Sequence, residues 1–491
     1  MTRLQASDHG YLSAAVLRQL ESTALLKRFD AVIIDGGAAR RLLASRPHAA
    51  TGVGPSEHNA LRFSSLPHAV ALQTFAAIPP AARARAALVS RAWRDGIAEP
   101  SVWTRLDLSR ARGGAVTDAV LRGAVARARG QLTVLAVECA EGAEVSQNAL
   151  MEVLTAHVGS LRELHLCAND EGSRIFSVAY VERLVRAAPQ LRVFRADVQA
   201  TVAGAARLLR KEAPFEALQL NFVEIEEDGI LNDDAAVLAL AAALAQHTTL
   251  RDLSVIGVSL QTPAVMDAVA AAVVQNGVPF LTIERCGLVP TSVPALVRLM
   301  RSRSLVTLSL DNSDGQVFTA PEALQLADAI AAHRTLRRLN FFGVQFWRDP
   351  VAAAAMMRAA TGHPSLRSLS VSSNDPPDPV AAGAALGALV AANTPALSEL
   401  HLRGSELGDA GMLPMLMALP QNKYLQLLRC FDTGMSEAFA RDVFLPAVGA
   451  NTSLLILEAS EGWGGEGGGA PPPEVLAAEE FVAARIRRRL A

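Results

Sequence analysis

Ten histidines and four cysteines are the residues of this chain best suited to hold a metal or move a proton, and their spacing supports neither use. The sequence has no H-E-x-x-H and no C-x-x-C pair, so the donor sets that close around zinc are missing. No G-x-x-x-x-G-K-[ST] is present to cradle a phosphate, and no lysine follows the glycine-rich stretch Gly464 to Gly469. His165 and His401 lie inside short leucine runs, while His247, His333 and His363 stand near helix ends at equivalent places in a repeat. That recurrence suits capping better than catalysis. A Ser-His-Asp assembly is defined by geometry, and nothing in the residue order points to one. The expectation is a chain that is not an enzyme and holds no metal and no cofactor.

The elements that must position these residues repeat roughly every 29 residues from about residue 100 to 460. Each unit has an alanine-rich helical stretch, such as AAVLALAAALAQH (235–247), and then a run of the form L-x-x-L-x-L, as in LRELHL (161–166) and LSELHL (397–402). The first apolar residue of each run falls at Leu132, Leu161, Leu191, Phe215, Leu250, Val278, Leu305, Leu336, Leu366, Leu397, Leu425 and Leu454. Most steps are 27 to 31 residues; a step of 24 precedes Phe215 and one of 35 follows it, predicting a distortion or insertion there. The last two leucines of a run alternate like a buried strand, and alanine lets helices stack closely on that layer. One such unit cannot bury its own apolar face, whereas stacked copies cover one another.

This pattern resembles the leucine-rich repeats of the ribonuclease-inhibitor type, with LRGSELGDAGMLPMLMALPQNKYLQLL (402–428) the best-matching tract. The resemblance implies an α/β solenoid, a horseshoe with parallel strands on its concave face and helices on its convex face. Residues at the third, fifth and seventh places of each run would then face a partner: Glu163, His165, Arg195, Asp252, Phe280, Glu284, Arg338, Asn340, Phe342, Glu399, His401 and Arg403. Phe280 and Phe342 are the candidate apolar anchors. Phe346 and Trp347 lie just past a strand, where they could project or fold inward. Cys286 falls where this family places Asn or Cys to bond the turn backbone, and all four cysteines read as small buried side chains.

Before the repeats, residues 61–108 suggest three short apolar helices punctuated by Pro67 and Pro79–Pro80. So small a module cannot hide Val70, Leu72, Phe75, Ile78, Leu88, Val89, Trp93 and Trp103 alone, so part of that face should meet something else. The segment resembles an F-box, the adaptor-binding module of cullin–RING ubiquitin ligases. Leu66–Pro67, Phe75, Ile78–Pro79, Leu88–Val89–Ser90, Trp93–Arg94, Pro100, Trp103 and Leu106–Asp107–Leu108 carry the match in order and spacing. The resemblance implies an adaptor-binding set of Leu66, Pro67, Phe75, Ile78, Pro79, Leu88, Val89, Trp93 and Trp103. Ala71 and Thr74 stand where the pattern has larger aliphatics, and Arg83 where it commonly has leucine; all three would remove apolar area from the adaptor face.

The expected organisation is an N-terminal helical segment and linker (1–60), the F-box-like module (61–105) and 12 or 13 repeats (106–460). A Gly/Pro-rich linker (461–473) and a C-terminal helix (474–491) that folds back as a cap complete it. Within residues 1–60, Tyr11 to Arg28 and 38–46 read as helices, 30–35 as a strand and 47–59 as linker. A net charge of −2 supports neither a nucleic-acid nor a membrane partner. No signal peptide opens the chain and no apolar run reaches the length of a membrane span, so an intracellular place is expected: cytoplasmic, with the nucleus as a second compartment. The cluster Arg485 to Arg489 reads first as a solvated helix end and second as an import signal.

Together these imply a substrate-recognition subunit of an SCF-type ligase, with a Skp-type adaptor and cullin on the F-box and an unknown protein target on the repeats. The alternative is a non-catalytic repeat scaffold whose degenerate F-box serves as a cap. A third reading is a regulator of an enzyme.

Overall fold

The computed structural model describes residues 68–78, 80, 83, 86–88, 91–108, 116–138, 145–167, 176–199, 201–210, 217–221, 234–312, 318–344, 346–372, 376–460 and 470–490. The elements expected within 1–60, and the residues Leu66, Pro67, Pro79, Val89 and Cys139, lie outside these. The chain divides into two compact units, Met1–Leu161 and Arg162–Ala491. Within the first unit the first repeat packs with the helical module: the Arg127 guanidinium lies over the Trp103 ring, 4.8 Å from its centre.

In the first unit α1 (His68–Ala77) and α2 (Arg91–Ala98) lead through a 3-10 turn at Pro100–Trp103 into β1 (Arg105–Leu108). Then follow α3 (Asp118–Arg127), β2 (Val134–Glu138) and α4 (Gln147–Ala156). The second unit continues with β3 (Glu163–Cys167), β4 (Phe176–Ser177), α5 (Val178–Ala187), β5 (Val193–Gln199), α6 (Val202–Arg210), β6 (Ala217–Asn221) and α7 (Asp234–Ala245). Next come β7 (Asp252–Ile256), α8 (Pro263–Asn276), β8 (Phe280–Glu284), α9 (Val293–Met300), β9 (Thr307–Asp311), α10 (Ala320–Ala332), β10 (Arg338–Phe342) and α11 (Pro350–Ala360). The unit ends with β11 (Ser368–Ser372), α12 (Pro379–Ala391), β12 (Glu399–His401), α13 (Gly408–Ala418), β13 (Leu427–Arg429), α14 (Glu437–Phe439), α15 (Leu445–Ala450), β14 (Ile456–Glu458) and α16 (Pro473–Leu490).

Each of the twelve runs opens a strand two residues after its first apolar residue, from Leu132 before β2 to Leu454 before β14. The strands are parallel. In the first unit β1 pairs with β2; in the second, β3 and β5 to β14 pair in chain order with β4 beside β5. The result is an α/β array with one strand per repeat, the neighbour-to-neighbour order a solenoid requires.

One backbone device ties successive repeats. The carbonyl just before a strand accepts two N–H groups that open the next one: Pro279 O takes Val306 N (2.8 Å) and Thr307 N (2.9 Å), and Val306 O takes Arg337 N (2.7 Å) and Arg338 N (3.1 Å). Arg337, Arg367, Ser398 and Gln426 continue the series, and Thr104 begins it in the first unit. This uses both lone pairs of a group that would otherwise be half-satisfied. Alternate strand residues (Leu253 and Val255, Leu281 and Ile283, Leu308 and Leu310, Leu339 and Phe341) are buried, forming the core with the helix layer.

Small residues set how closely the helices approach. A Cβ at Gly383 of α12 would overlap the Gly411 carbonyl of α13, and one at Gly387 would lie 2.8 Å from the Pro414 Cβ. Helix starts follow their sequence signals: Asp349 and Asp378, each before a proline at the first helical position, accept Val351 N (2.8 Å) and Ala381 N (3.0 Å).

The irregularity expected around Phe215 falls in the short step that ends there, between β5 and β6; residues 211–216 and 222–233 lie outside the described residues. β5 runs for seven residues, takes on the two-residue β4, and shifts register against β6 between Arg195 and Gln199. Phe346 and Trp347 fold inward, with Phe346 edge-on to Phe341 at 5.5 Å and 75°. The C-terminal helix caps the last repeat as expected. Glu479 of α16 accepts Ala459 N (2.6 Å) and Ser460 N (2.8 Å), and Arg485 donates to Val448 O (3.0 Å) and Gly449 O (3.1 Å). These satisfy backbone groups that no further repeat would cover.

Candidate adaptor and partner surfaces

The helical module is built around Arg83, and here the structure corrects the sequence expectation. Arg83 is 2% exposed and takes no part in an adaptor face. Its Nε donates to Ile78 O (2.8 Å), Nη2 to Ala76 O (2.7 Å) and Nη1 to Val102 O (2.9 Å). The guanidinium therefore holds the carbonyl end of α1 against the 3-10 turn, and it lies over the Trp103 ring at 5.0 Å. Burial lowers its pKa from the usual arginine range to about 10. A leucine fills space at such a position, whereas arginine supplies the donors that the ends of helices lack.

Phe75 and Trp103, both expected to meet the adaptor, are also turned inward at 2% exposure each. Trp103 donates through Nε1 to Ile97 O (2.6 Å), and Phe75 meets Trp93 edge-on at 5.3 Å and 71°. Gly96 permits the crossing of α1 and α2, since a Cβ there would overlap the Phe75 ring. The two aromatics support the module and add no surface to it. Leu88 is different: it is 71% exposed, on the turn ahead of α2. Ile78, Trp93 and Ala71 are half-buried.

In the second unit the candidate partner residues form rows across the sheet, on the side opposite the buried leucines. Register places Asp252, Phe280, Thr307, Arg338, Ser368 and Glu399 side by side in one row. A second row holds Ser254, Thr282, Ser309, Asn340, Ser370 and His401, and a third Glu284, Asp311, Phe342 and Ser372. Glu163 and His165 lie in the first and second rows at β3; Arg195 shares the row of His165, its side chain outside the described residues. Phe280, Glu284, Arg338, Asn340, Phe342, Glu399 and His401 are half-buried, and Arg403, beyond β12, is exposed over the Phe431 ring at 5.2 Å.

Polar partners on this face lie both on adjacent strands and along the same strand. Asn340 Nδ2 donates to Ser309 Oγ (3.0 Å), and burial followed by the Asp311 charge pushes the Glu284 carboxyl up, opposed by Arg285. Hydrogen bonding from His401, then from Ser368, with the Arg338 charge beside it, holds the Glu399 carboxyl low. Ser368 Oγ (3.4 Å) and Glu399 Oε2 (3.9 Å) both meet His401 at Nε2. The carboxylate thus does not hold Nδ1, the contact that would orient the ring as a base toward the serine.

Sequence reasoning did not carry the face past β12. Leu427 and Arg429 of β13 extend the two rows, followed by Ile456 and Glu458 of β14, and Arg429 Nη2 donates to Glu458 Oε1 (3.1 Å). The runs opening at Leu425 and Leu454 hold the signal, being in the same register as those before them. Cys286, fully buried, donates through Sγ to Glu284 O (3.1 Å) and Val255 O (3.5 Å), and burial pushes its thiol up to about 12. Cys430 is equally buried and its thiol is likewise pushed up; the Cys167 side chain lies outside the described residues.

Fold and surfaces together define a parallel α/β repeat chain with a small helical module before it. A family model described as F-box-like matches residues 63–109, so the module is an F-box-like domain. No protein of curated function matches the sequence. Among solved structures, a match titled "Crystal structure of Rad7 and Elc1 complex in yeast" is 12% identical, covers 66% of this chain and 81% of that one, and has a TM-score of 0.39. A likeness that loose carries no argument.

Proposed function

We propose that this chain is the substrate-recognition subunit of an SCF-type cullin–RING ubiquitin ligase. F-box domains bind Skp-type adaptors, and the observation that carries the reading is the 71% exposed Leu88 on a module matched by the F-box-like model. The repeats, of the leucine-rich type, would curve as a horseshoe and hold the target protein on the strand rows from Glu163 to Glu458. The chain would do no chemistry itself and need no cofactor; it raises the effective concentration of target beside the ligase. The place of action would be cytoplasmic, with the nucleus as a second compartment.

A scaffold whose module serves only as a cap is the second reading, favoured by the inward turn of Phe75 and Trp103. Co-purification with a recombinant Skp-type adaptor separates the two. The intact chain should retain the adaptor, and a variant with Leu66, Pro67 and Trp93 changed to alanine should lose it. An intact chain that does not hold the adaptor rules out the ligase reading.

A further inference from the structure

At several helix ends in the second unit one polar side chain does two jobs. Its acceptor takes backbone N–H groups two and three residues on, and its donor reaches a carbonyl of an earlier repeat. Asn422 Oδ1 takes Tyr424 N (3.0 Å) and Leu425 N (2.8 Å), while Nδ2 donates to Val390 O (2.8 Å). Asn451 Oδ1 takes Ser453 N (2.9 Å) and Leu454 N (2.8 Å), with Nδ2 donating to Leu419 O (2.7 Å). At two earlier seams the residue is histidine. His333 Nδ1 takes Thr335 N (3.2 Å) and Leu336 N (2.9 Å), and Nε2 donates to Ser302 O (2.9 Å). His363 Nδ1 takes Ser365 N (3.3 Å) and Leu366 N (3.0 Å), and Nε2 donates to Ile330 O (3.1 Å).

These bonds fix the tautomer. In each ring the single Nδ1 lone pair is shared by the two N–H groups, so the proton sits on Nε2 and both rings are neutral. A second proton, on Nδ1, would replace an acceptor with a donor aimed at two N–H groups, and both bonds would be lost together. An amide at the same place takes no such proton. We propose that the seams at His333 and His363 are proton-operated: in acid the helix-end turns joining residues 302 to 366 open, while the matching seams at Asn422 and Asn451 stay closed.

Among the described residues the charged groups around these turns offer the extra proton no anionic partner. The charged residues of the turns 301–306, 333–338 and 363–368 are Arg301, Arg303, Arg334, Arg337, Arg338 and Arg367, besides the two histidines themselves. Among the described residues no carboxylate acts on either ring. Burial lowers both imidazoles below the usual 6.5, the Ser302 and Ile330 carbonyls oppose this, and His333 and Arg334 push His363 lower. The closed seam therefore binds fewer protons than the open one. Its stability is complete above about pH 6.5 and falls as the pH falls below that value.

Hydrogen exchange on the full chain, corrected for the intrinsic rate at each pH, reads the bonds directly at Thr335, Leu336, Ser365 and Leu366. From pH 7.5 to 5.5 an open-state histidine of ordinary pKa raises the opening equilibrium about tenfold, so protection at these amides should fall by up to that factor per histidine. Tyr424, Leu425, Ser453 and Leu454 should keep theirs. His333→Asn with His363→Asn should remove the acid response, and Asn422→His should create one at Tyr424 and Leu425. Equal loss at both kinds of seam, no loss at the histidine seams, or acid loss that survives the double asparagine change would overturn the proposal. If the double variant does not fold, Asn422→His decides alone, and an exchange pattern there that ignores pH would also overturn it.

Discussion

Replacing Arg83 with leucine, the residue an F-box pattern commonly has there, separates a structural from a surface role. In the structure the guanidinium makes three charge-assisted hydrogen bonds to Ala76 O, Ile78 O and Val102 O. At about 1.5–3 kcal/mol each, net of the water bonds they replace, these contribute at most about 4.5–9 kcal/mol. Burial opposes them, lowering the Arg83 pKa to about 10 and disfavouring the charged form. Leucine would recover some apolar contact and leave three carbonyls without a donor, so Arg83→Leu should destabilise the module by about 2–4 kcal/mol. Hydrogen exchange at the amides of α2 and of Val102 in the full chain should then show protection lowered about 30- to 700-fold. Adaptor binding should not improve. Unchanged protection together with tighter adaptor binding would refute the reasoning, because it would place Arg83 on the docking face.

Two other substitutions test the packing and the turns. Gly383→Ala forces a methyl against the Gly411 carbonyl and should cost the array about 1–3 kcal/mol in denaturant unfolding, whereas Gly123→Ala in α3 meets nothing within 4 Å and should gain about 0.5–1 kcal/mol. Arg285 has φ 49 where Gly257, Gly343 and Gly404 hold the corresponding turns, so Arg285→Gly should gain about 0.5 kcal/mol after the entropy of glycine is set against the relieved strain. The same change removes the charge that opposes the rise at Glu284, and NMR titration should find that carboxyl higher still.

The repeat was legible because its signal is periodic and local. A leucine every third and then second residue fixes which side chains are buried, and all twelve strands begin two residues after the first apolar position. The rows on the sheet face followed from that register. Arg83, Phe75 and Trp103 were misplaced for a different reason: three short helices have no long period, so the direction of a side chain depends on how they cross. Gly96, which lets Phe75 sit under α2, and the three carbonyls that draw Arg83 inward are tertiary facts. The uneven steps around Phe215 announced the register shift between β5 and β6 but not the added strand β4, because spacing records the length of an insertion and not where the chain absorbs it. The helix-end histidines lay between these cases. Their recurrence announced capping at His333 and His363, but only the structure shows the donor reaching the earlier repeat.

The central claim is that the exposed edge of the F-box-like module docks an adaptor. Its most direct test is calorimetric titration of the full chain with a purified Skp-type adaptor, comparing the intact protein with Leu88→Asp. Leu88 is 71% exposed, so the change should leave the fold intact and remove about 1.5–3 kcal/mol of burial on docking. Saturable binding by the intact chain is expected, weakened about 10- to 150-fold by the substitution. No binding by the intact chain, or binding indifferent to Leu88, would contradict it.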